Sequence, residues 1–163
     1  MMRICSDVAP TPAREPRLTF AAVQPNDFEA LVAIRIEAMR ESLERIGRFD
    51  PVRARERFRS GFSPEHTCRV LVDGECVGFV VVKPQDDGLL LDHLYVQPRS
   101  QRRGIGAAVL AHLFAEADAS CLPMRVGALR DSDSNRFYAR HGFQLIERGE
   151  SDNYYVRPSQ NAL

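Results

Sequence analysis

An α/β fold of the α+β kind is predicted by three observations. Period-two hydrophobicity fills the middle of the chain, helical periodicity flanks it on both sides, and glycine or Asp-Pro punctuation separates the segments. Residues 1–16 follow neither period and read as a disordered leader, leaving 17–163 as a single domain. Residues 18–23 form a short apolar strand. Asn26 or Asp27 then caps a helix with the stripe Phe28, Leu31, Val32, Met39, Leu43 and Ile46, stopped by Gly47. Asp50-Pro51 is a cap followed by proline at the first helical position, opening a second, Arg-rich helix that ends near Gly61. Residues 67–72, the Asp73-Gly74 turn and residues 76–82 read as an antiparallel hairpin, with 89–96 as the next strand. After Gly104, Ile105, Ala108, Val109, His112 and Leu113 share one helical face. Residues 123–129 are a strand, Asp133 or Ser134 caps a short helix through Arg140, and Gly142 follows it in the usual glycine position. Strands at 143–147 and 153–157 close the order β-α-α-β-β-β-α-β-α-β-β.

At 163 residues and 44 % hydrophobic content the chain suits one core without staples. The 22 basic and 22 acidic residues balance, which argues against a nucleic-acid binder or a charged membrane-surface protein. Every basic residue but Lys83 is Arg, the better planar donor for phosphate and carboxylate. Cys5, Cys68, Cys76 and Cys121 form no C-x-x-C pair, so no metal site is expected. The hairpin places Cys76 opposite Leu71 and turns Cys68 to the other face, so these two cannot bond, which fits a reducing cytoplasm. No signal core and no spanning run are present, so neither export nor membrane insertion is expected.

The chemistry concentrates after the strand at 89–96, where Gln97-Pro98-Arg99-Ser100 leads through Gln101-Arg102-Arg103-Gly104-Ile105-Gly106 into a helix. A strand, a glycine loop and a helix start make an anion site: unpaired amides point outward, the helix dipole adds positive charge, and glycines admit close approach. Diphosphate is the natural ligand. No Gly-Lys-Ser/Thr ending is present, and Val109 stands where a dinucleotide fingerprint needs its third glycine, so neither ATP nor NAD is favoured.

Gln101-x-x-Gly104-x-Gly106 after Val96-x-Pro98 resembles the acetyl-CoA pyrophosphate loop of the GNAT superfamily of N-acetyltransferases. Asn135-Arg136-Phe137-Tyr138-Ala139-Arg140-His141-Gly142-Phe143 is similar to that family's second cofactor segment, and the hairpin around Asp73-Gly74 resembles its second and third strands. The resemblance covers residues 18–157. It implies a central mixed, mostly antiparallel sheet of about six to seven strands flanked by about four helices. It also implies that acetyl-CoA is the cosubstrate, held by Gln101 and the backbone amides of Arg102, Arg103, Gly104, Ile105, Gly106 and Ala107. Leu94, Tyr95 and Val96 would pair with the pantetheine amides, on a strand diverging from the one at 123–129, and Asn135 and Tyr138 would lie beside the cofactor. An open strand edge accepts pantetheine amides much as it accepts a peptide.

Acetyl transfer to an amine moves two protons, one off the attacking amine and one onto the departing thiolate. Tyr138, three residues after Asn135 and so on the same helical face, is the candidate general acid: its usual pKa near 10 leaves it protonated at neutral pH. Alternation puts Leu90, Asp92, Leu94 and Val96 on one strand face and Leu91, His93 and Tyr95 on the other. The resemblance makes Asp92 the candidate base, through a water relay because Asp is short. His93 replaces it if the register slips by one. On the residues alone, a core tyrosine is the lesser alternative for Tyr138, whereas Asp92 can equally be a buried cap or salt-bridge partner.

Arg45, Arg48, Arg53, Arg55, Arg57 and Arg59, interleaved with Glu37, Glu41, Glu44 and Glu56, read as a solvated face laced with ion pairs, with an acidic group on the acceptor as the alternative. His66, His112 and His141 read as packed histidines. The expected function is acetyl transfer to a primary amine of a small molecule or peptide by direct attack, with neither nucleic acid nor membrane as partner. Homodimers are frequent in the family, though no motif here demands one. A non-catalytic acyl-CoA-binding or interaction module is the alternative.

Overall fold

The computed structural model describes residues 17–161, and the leader read over 1–16 lies outside them. The chain runs β1 (Leu18–Ala22), α1 (Phe28–Arg45), α2 (Pro51–Ser60), β2 (Thr67–Val72), β3 (Glu75–Gln85), β4 (Gly88–Val96), α3 (Ile105–Ala119), β5 (Met124–Leu129), α4 (Ser134–Arg140), β6 (Gln144–Arg148) and β7 (Asp152–Arg157). The strands form one 7-stranded sheet in the order β1-β2-β3-β4-β5-β7-β6. Every neighbouring pair is antiparallel except β4 with β5. The element order and the mixed, mostly antiparallel sheet agree with the sequence reading.

Local chemistry explains the boundaries. Asp73 (φ 50°) and Gly74 (φ 86°) both take positive φ, the requirement of the tight primed turn that closes β2 onto β3. The register sets Leu71 opposite Cys76, as the turn predicts. The Asp50 carboxylate accepts from the Arg53 amide at 3.1 Å and Pro51 opens α2. At the end of α1, the left-handed Gly47 lets the Arg48 amide reach back to the Leu43 carbonyl at 2.8 Å. Two expected caps differ. Asp27 turns its carboxylate back to the Gln24 amide at 2.8 Å, closing a 3-10 turn before α1, and Asp133 precedes α4 without a side-chain bond.

Each sheet face carries its own core. On one, Leu91, Val80 and Val126 pack beneath Val109, Leu110 and Leu113 of α3 and Tyr138 of α4. On the other, Phe79 and Val81 pack beneath Leu31 and Val32 of α1 and Phe58 of α2. Phe79 is fully buried, so truncation to Ala would cost about 3–5 kcal/mol. Gly78 is required by close approach: a Cβ there would stand 2.2 Å from the Tyr95 carbonyl oxygen, bringing β3 against β4 where the site begins.

Candidate active site

β4 and β5 pair only through Leu89 with Met124, Leu90 with Arg125 and Leu91 with Val126. Beyond Leu91 they part, while the other edge of β4 stays paired to β3 as far as Val96. The gap opens a cleft of about 170 Å³ that touches Leu94, Val96, Ala128 and Tyr138 on one side and Asp92, His93, Tyr95 and Met39 on the other. Leu94, Tyr95 and Val96 therefore lie on a strand edge with no strand against it. One edge acceptor is taken, because Gln101 Nε2 donates to the Val96 carbonyl at 2.8 Å and ties the loop to the end of β4.

The splay begins at an irregularity of β4. His93 pairs with Val81 and Leu91 with Val82, so Asp92 is the extra residue of a β-bulge. The bulge corrects the alternation expected from sequence. Leu91, not Leu90, packs with Leu94 and Val96 on the α3 side, and Asp92 does not share their face. Its Oδ2 lies 3.0 Å from Lys83 Nζ, which donates to the Gly61 carbonyl just past α2 at 3.0 Å. Asp92, His93 and Tyr95 thus reach the cleft from the α1 and α2 side, and His93 keeps the face that alternation assigned to it.

From Val96 the chain turns through Pro98–Ser100 into α3. Arg102 (φ 63°) and Gly104 (φ 76°) are both left-handed, which aims the amides that follow outward. Among the described residues none of the amides from 102 to 107 donates to a protein acceptor; the first bonded one is Ala108, to the Gly104 carbonyl at 3.0 Å. Six consecutive donors at the positive end of a helix dipole have the chemistry to cradle an anion. Gly106 serves a second purpose: a Cβ there would meet the Phe137 ring at 3.1 Å, so its absence seats α4 against the first turn of α3. A larger open depression of about 480 Å³ on the far side of this loop sets Asp73 and Glu75 against Arg99 and Arg103, a mixed-charge surface.

Tyr138 is buried in the α3-side core with its ring edge-on to Phe143, yet it lines the cleft, and its hydroxyl has no hydrogen-bond partner among the described residues. Burial, reinforced by the nearby Tyr95, pushes its pKa above the usual 10. Asn135 departs from the expected cofactor contact. Its Nδ2 donates to the Leu129 and Ser132 carbonyls, both at 2.9 Å, and its Oδ1 accepts from Asn153 Nδ2 at 2.9 Å and Tyr155 Oη at 2.8 Å. That amide is fully engaged in clasping the β5–α4 loop to β7.

His93 sits among Phe58, Phe79 and Tyr95, with Nδ1 3.3 Å from Tyr95 Oη. Burial drives its pKa down to about 4; the Arg35 and Lys83 charges push the same way and Asp92 opposes them, so the ring is neutral at pH 7. Burial also raises the Tyr95 hydroxyl, partly offset by the Arg35 charge. Arg35 was missed by the sequence reading. It is nine-tenths buried on the sheet-facing stripe of α1, and the available signal was an arginine at the helical step after Leu31 and Val32.

The other residues weighed from sequence lie elsewhere. Arg55 pairs with Glu29 and Glu56, and Arg45 with Glu41, as a solvated face would. His112 is half-exposed and stacked on Phe20, His66 faces Ser63, and His141 faces the Phe137 carbonyl. Cys121 precedes β5 at the end opposite the splay. Among the described residues no group of three or more His, Cys, Asp and Glu gathers as a metal would need, and no helix is long and apolar enough to cross a membrane.

Comparison with known proteins supports this geometry. The PaiA N-acetyltransferase of Thermoplasma acidophilum, solved with coenzyme A, is 17 % identical over 87 % of this chain and 99 % of its own, with a TM-score of 0.72. The ribosomal-protein-S18-alanine N-acetyltransferase of Escherichia coli is 19 % identical over 90 % of this chain and 96 % of its own, with a TM-score of 0.64. At such identities the likeness shows the fold. No curated protein sequence matches. The family model described as "Acetyltransferase (GNAT) domain" matches residues 64–145, which hold the β2–β3 hairpin, the splayed strands, the amide cradle and α4. The chain belongs to the GNAT acetyltransferase family.

Proposed function

We propose that this protein transfers the acetyl group of acetyl-CoA to a primary amine of a small molecule or peptide, by direct attack of the amine on the thioester. The observation that carries the reading is the run of six unpartnered amides at residues 102–107, placed where the free edge of β4 ends. The amides receive the diphosphate, and the edge at Leu94–Val96 pairs with the pantetheine amides, which draws the thioester into the splay beside Tyr138. A diphosphate answers the cradle in both charge and number of acceptors.

Tyr138 protonates the leaving thiolate. Its unpartnered hydroxyl is free to donate, and its raised pKa keeps it protonated at any working pH. Asp92 takes the amine proton through water, its second oxygen remaining available while Lys83 holds the first. His93, neutral beside it, is the alternative acceptor of that proton. Residues 17–163 act as a single domain in the cytoplasm, a reading supported by Cys68, Cys76 and Cys121 forming no disulfide among the described residues.

The test is thiol release from acetyl-CoA across polyamines, amino acids, aminoglycosides and peptides, alongside calorimetric titration of coenzyme A. Turnover with at least one amine sustains the reading. Tight binding with no thiol release over the whole panel would instead identify a non-catalytic acyl-CoA-binding module.

A further inference from the structure

Arg35 and Arg157 are comparably buried, 9 % and 7 % exposed, and are treated differently by the fold. Arg157 makes a two-pronged ion pair with Asp118 at 2.9 and 3.0 Å. Arg35 has no carboxylate partner among the described residues. Its Nη1 donates to the Ala54 carbonyl of α2 and its Nε donates to nothing. A buried guanidinium without a counter-charge is costly, and Arg157 shows how this chain otherwise meets that cost.

The surroundings of Arg35 say where the missing charge belongs. Ala38, Met39 and Ser42, one and two turns further along the same stripe of α1, line the cleft. Across the stripe stand His93 and Tyr95, which also line it and both feel the Arg35 charge. Asp92 is paired with Lys83, whereas Arg35, set behind the cleft-lining His93 and Tyr95, has no carboxylate of its own among the described residues.

We propose that Arg35 supplies the counter-charge for an oxyanion, a carboxylate or a phosphate, carried by the amine acceptor. The acceptor's amine faces the thioester beside Tyr138, and its anionic group enters along Tyr95 and His93 toward Arg35. The guanidinium fork suits either oxyanion. This inference rests on the reading of the protein as an amine acetyltransferase and adds the class of acceptor.

The test uses the full chain with acetyl-CoA and matched pairs of acceptors. Glycine is compared with glycinamide, β-alanine with β-alaninamide, a dipeptide with its C-terminal amide, and phosphoethanolamine with ethanolamine. At least one acid is expected to exceed its uncharged partner by about tenfold or more in kcat/KM, and the carboxylate and phosphate pairs tell which oxyanion is preferred. In Arg35→Met that preference falls to within about threefold through KM, and Arg35→Lys recovers part of it. Equal or lower kcat/KM for the acid in every wild-type pair overturns the proposal, a comparison that holds even where Arg35→Met does not fold. If no compound is acetylated, amine transfer is the reading that fails. Calorimetry of the same pairs on the coenzyme A complex then decides the anion site alone: tighter binding of the acid sustains it, and equal binding overturns it.

Discussion

The carboxylate of Asp92 lies 3.0 Å from the ammonium of Lys83, the single lysine of the chain, and that ammonium also closes the end of α2 through the Gly61 carbonyl. The residue proposed as base is thus held by a strand neighbour and, through it, by a helix of the opposite core. Both side chains are about one-third exposed, so the pair itself contributes no more than about 1 kcal/mol. Asp92→Asn is expected to lower turnover by about 10²–10⁴ while coenzyme A affinity, read by calorimetry, stays within about threefold. A double-mutant cycle with Lys83→Met should give a stability coupling near that 1 kcal/mol. Undiminished turnover in Asp92→Asn would remove Asp92 from the mechanism.

Tyr138→Phe keeps the ring packed against Phe143 and deletes only the hydroxyl. Turnover is expected to fall by about 10²-fold with KM for acetyl-CoA nearly unchanged. Because burial holds the hydroxyl protonated beyond its usual range, the wild-type rate should show no alkaline loss below pH 10 that Tyr138→Phe abolishes.

His93 gives stability a defined pH dependence. Its folded pKa of about 4 lies below the ordinary 6.5, so between those values the unfolded chain binds a proton that the folded chain refuses. Stability therefore rises with pH across the window from about 4 to 6.5, by up to about 1.4 kcal/mol per unit from this residue, and the contribution is complete above it. His93→Gln should flatten the slope, as urea melts at half-unit pH steps would show.

Gly104 opens α3 with φ 76°, where a side chain costs about 1–2 kcal/mol. Nothing crowds the place of its Cβ, so the cost of Gly104→Ala is conformational alone. The substitution should lower the melting temperature by about 2–8 °C. It should also weaken coenzyme A binding by about three- to tenfold, as the amides from 102 to 107 lose their alignment.

Cys121 lies at the end of β5 away from the splay. Cys121→Ala should leave turnover within about twofold of the parent chain. Loss of activity in a folded variant would point to an acetyl-cysteine intermediate in place of direct attack.

The order of elements was legible because its signals are local. Asp73-Gly74, Asp50-Pro51, Gly47 and Gly142 each impose a backbone conformation that needs no distant partner. The amide cradle was legible for the same reason, through Gly104 and Gly106. What escaped depends on contacts far apart in sequence. The bulge at Asp92 inserts one residue against β3, and nothing within residues 88–96 marks it. Asn135 was expected to face a cofactor, but its partners Asn153 and Tyr155 arrive only when β7 folds against β5. Arg35 stands out by having no carboxylate partner among the described residues, and an absent neighbour leaves no mark in a one-dimensional pattern.

The extra residue in β4 separates the two jobs of a single strand. Leu94 and Val96 are packed by α3, whereas Asp92, His93 and Tyr95 answer to α1 and α2. On the proposed function, substitutions on the first two helices would retune what is acetylated while the handling of the donor stays intact, so new specificity could be selected on one layer of the molecule without rebuilding the other.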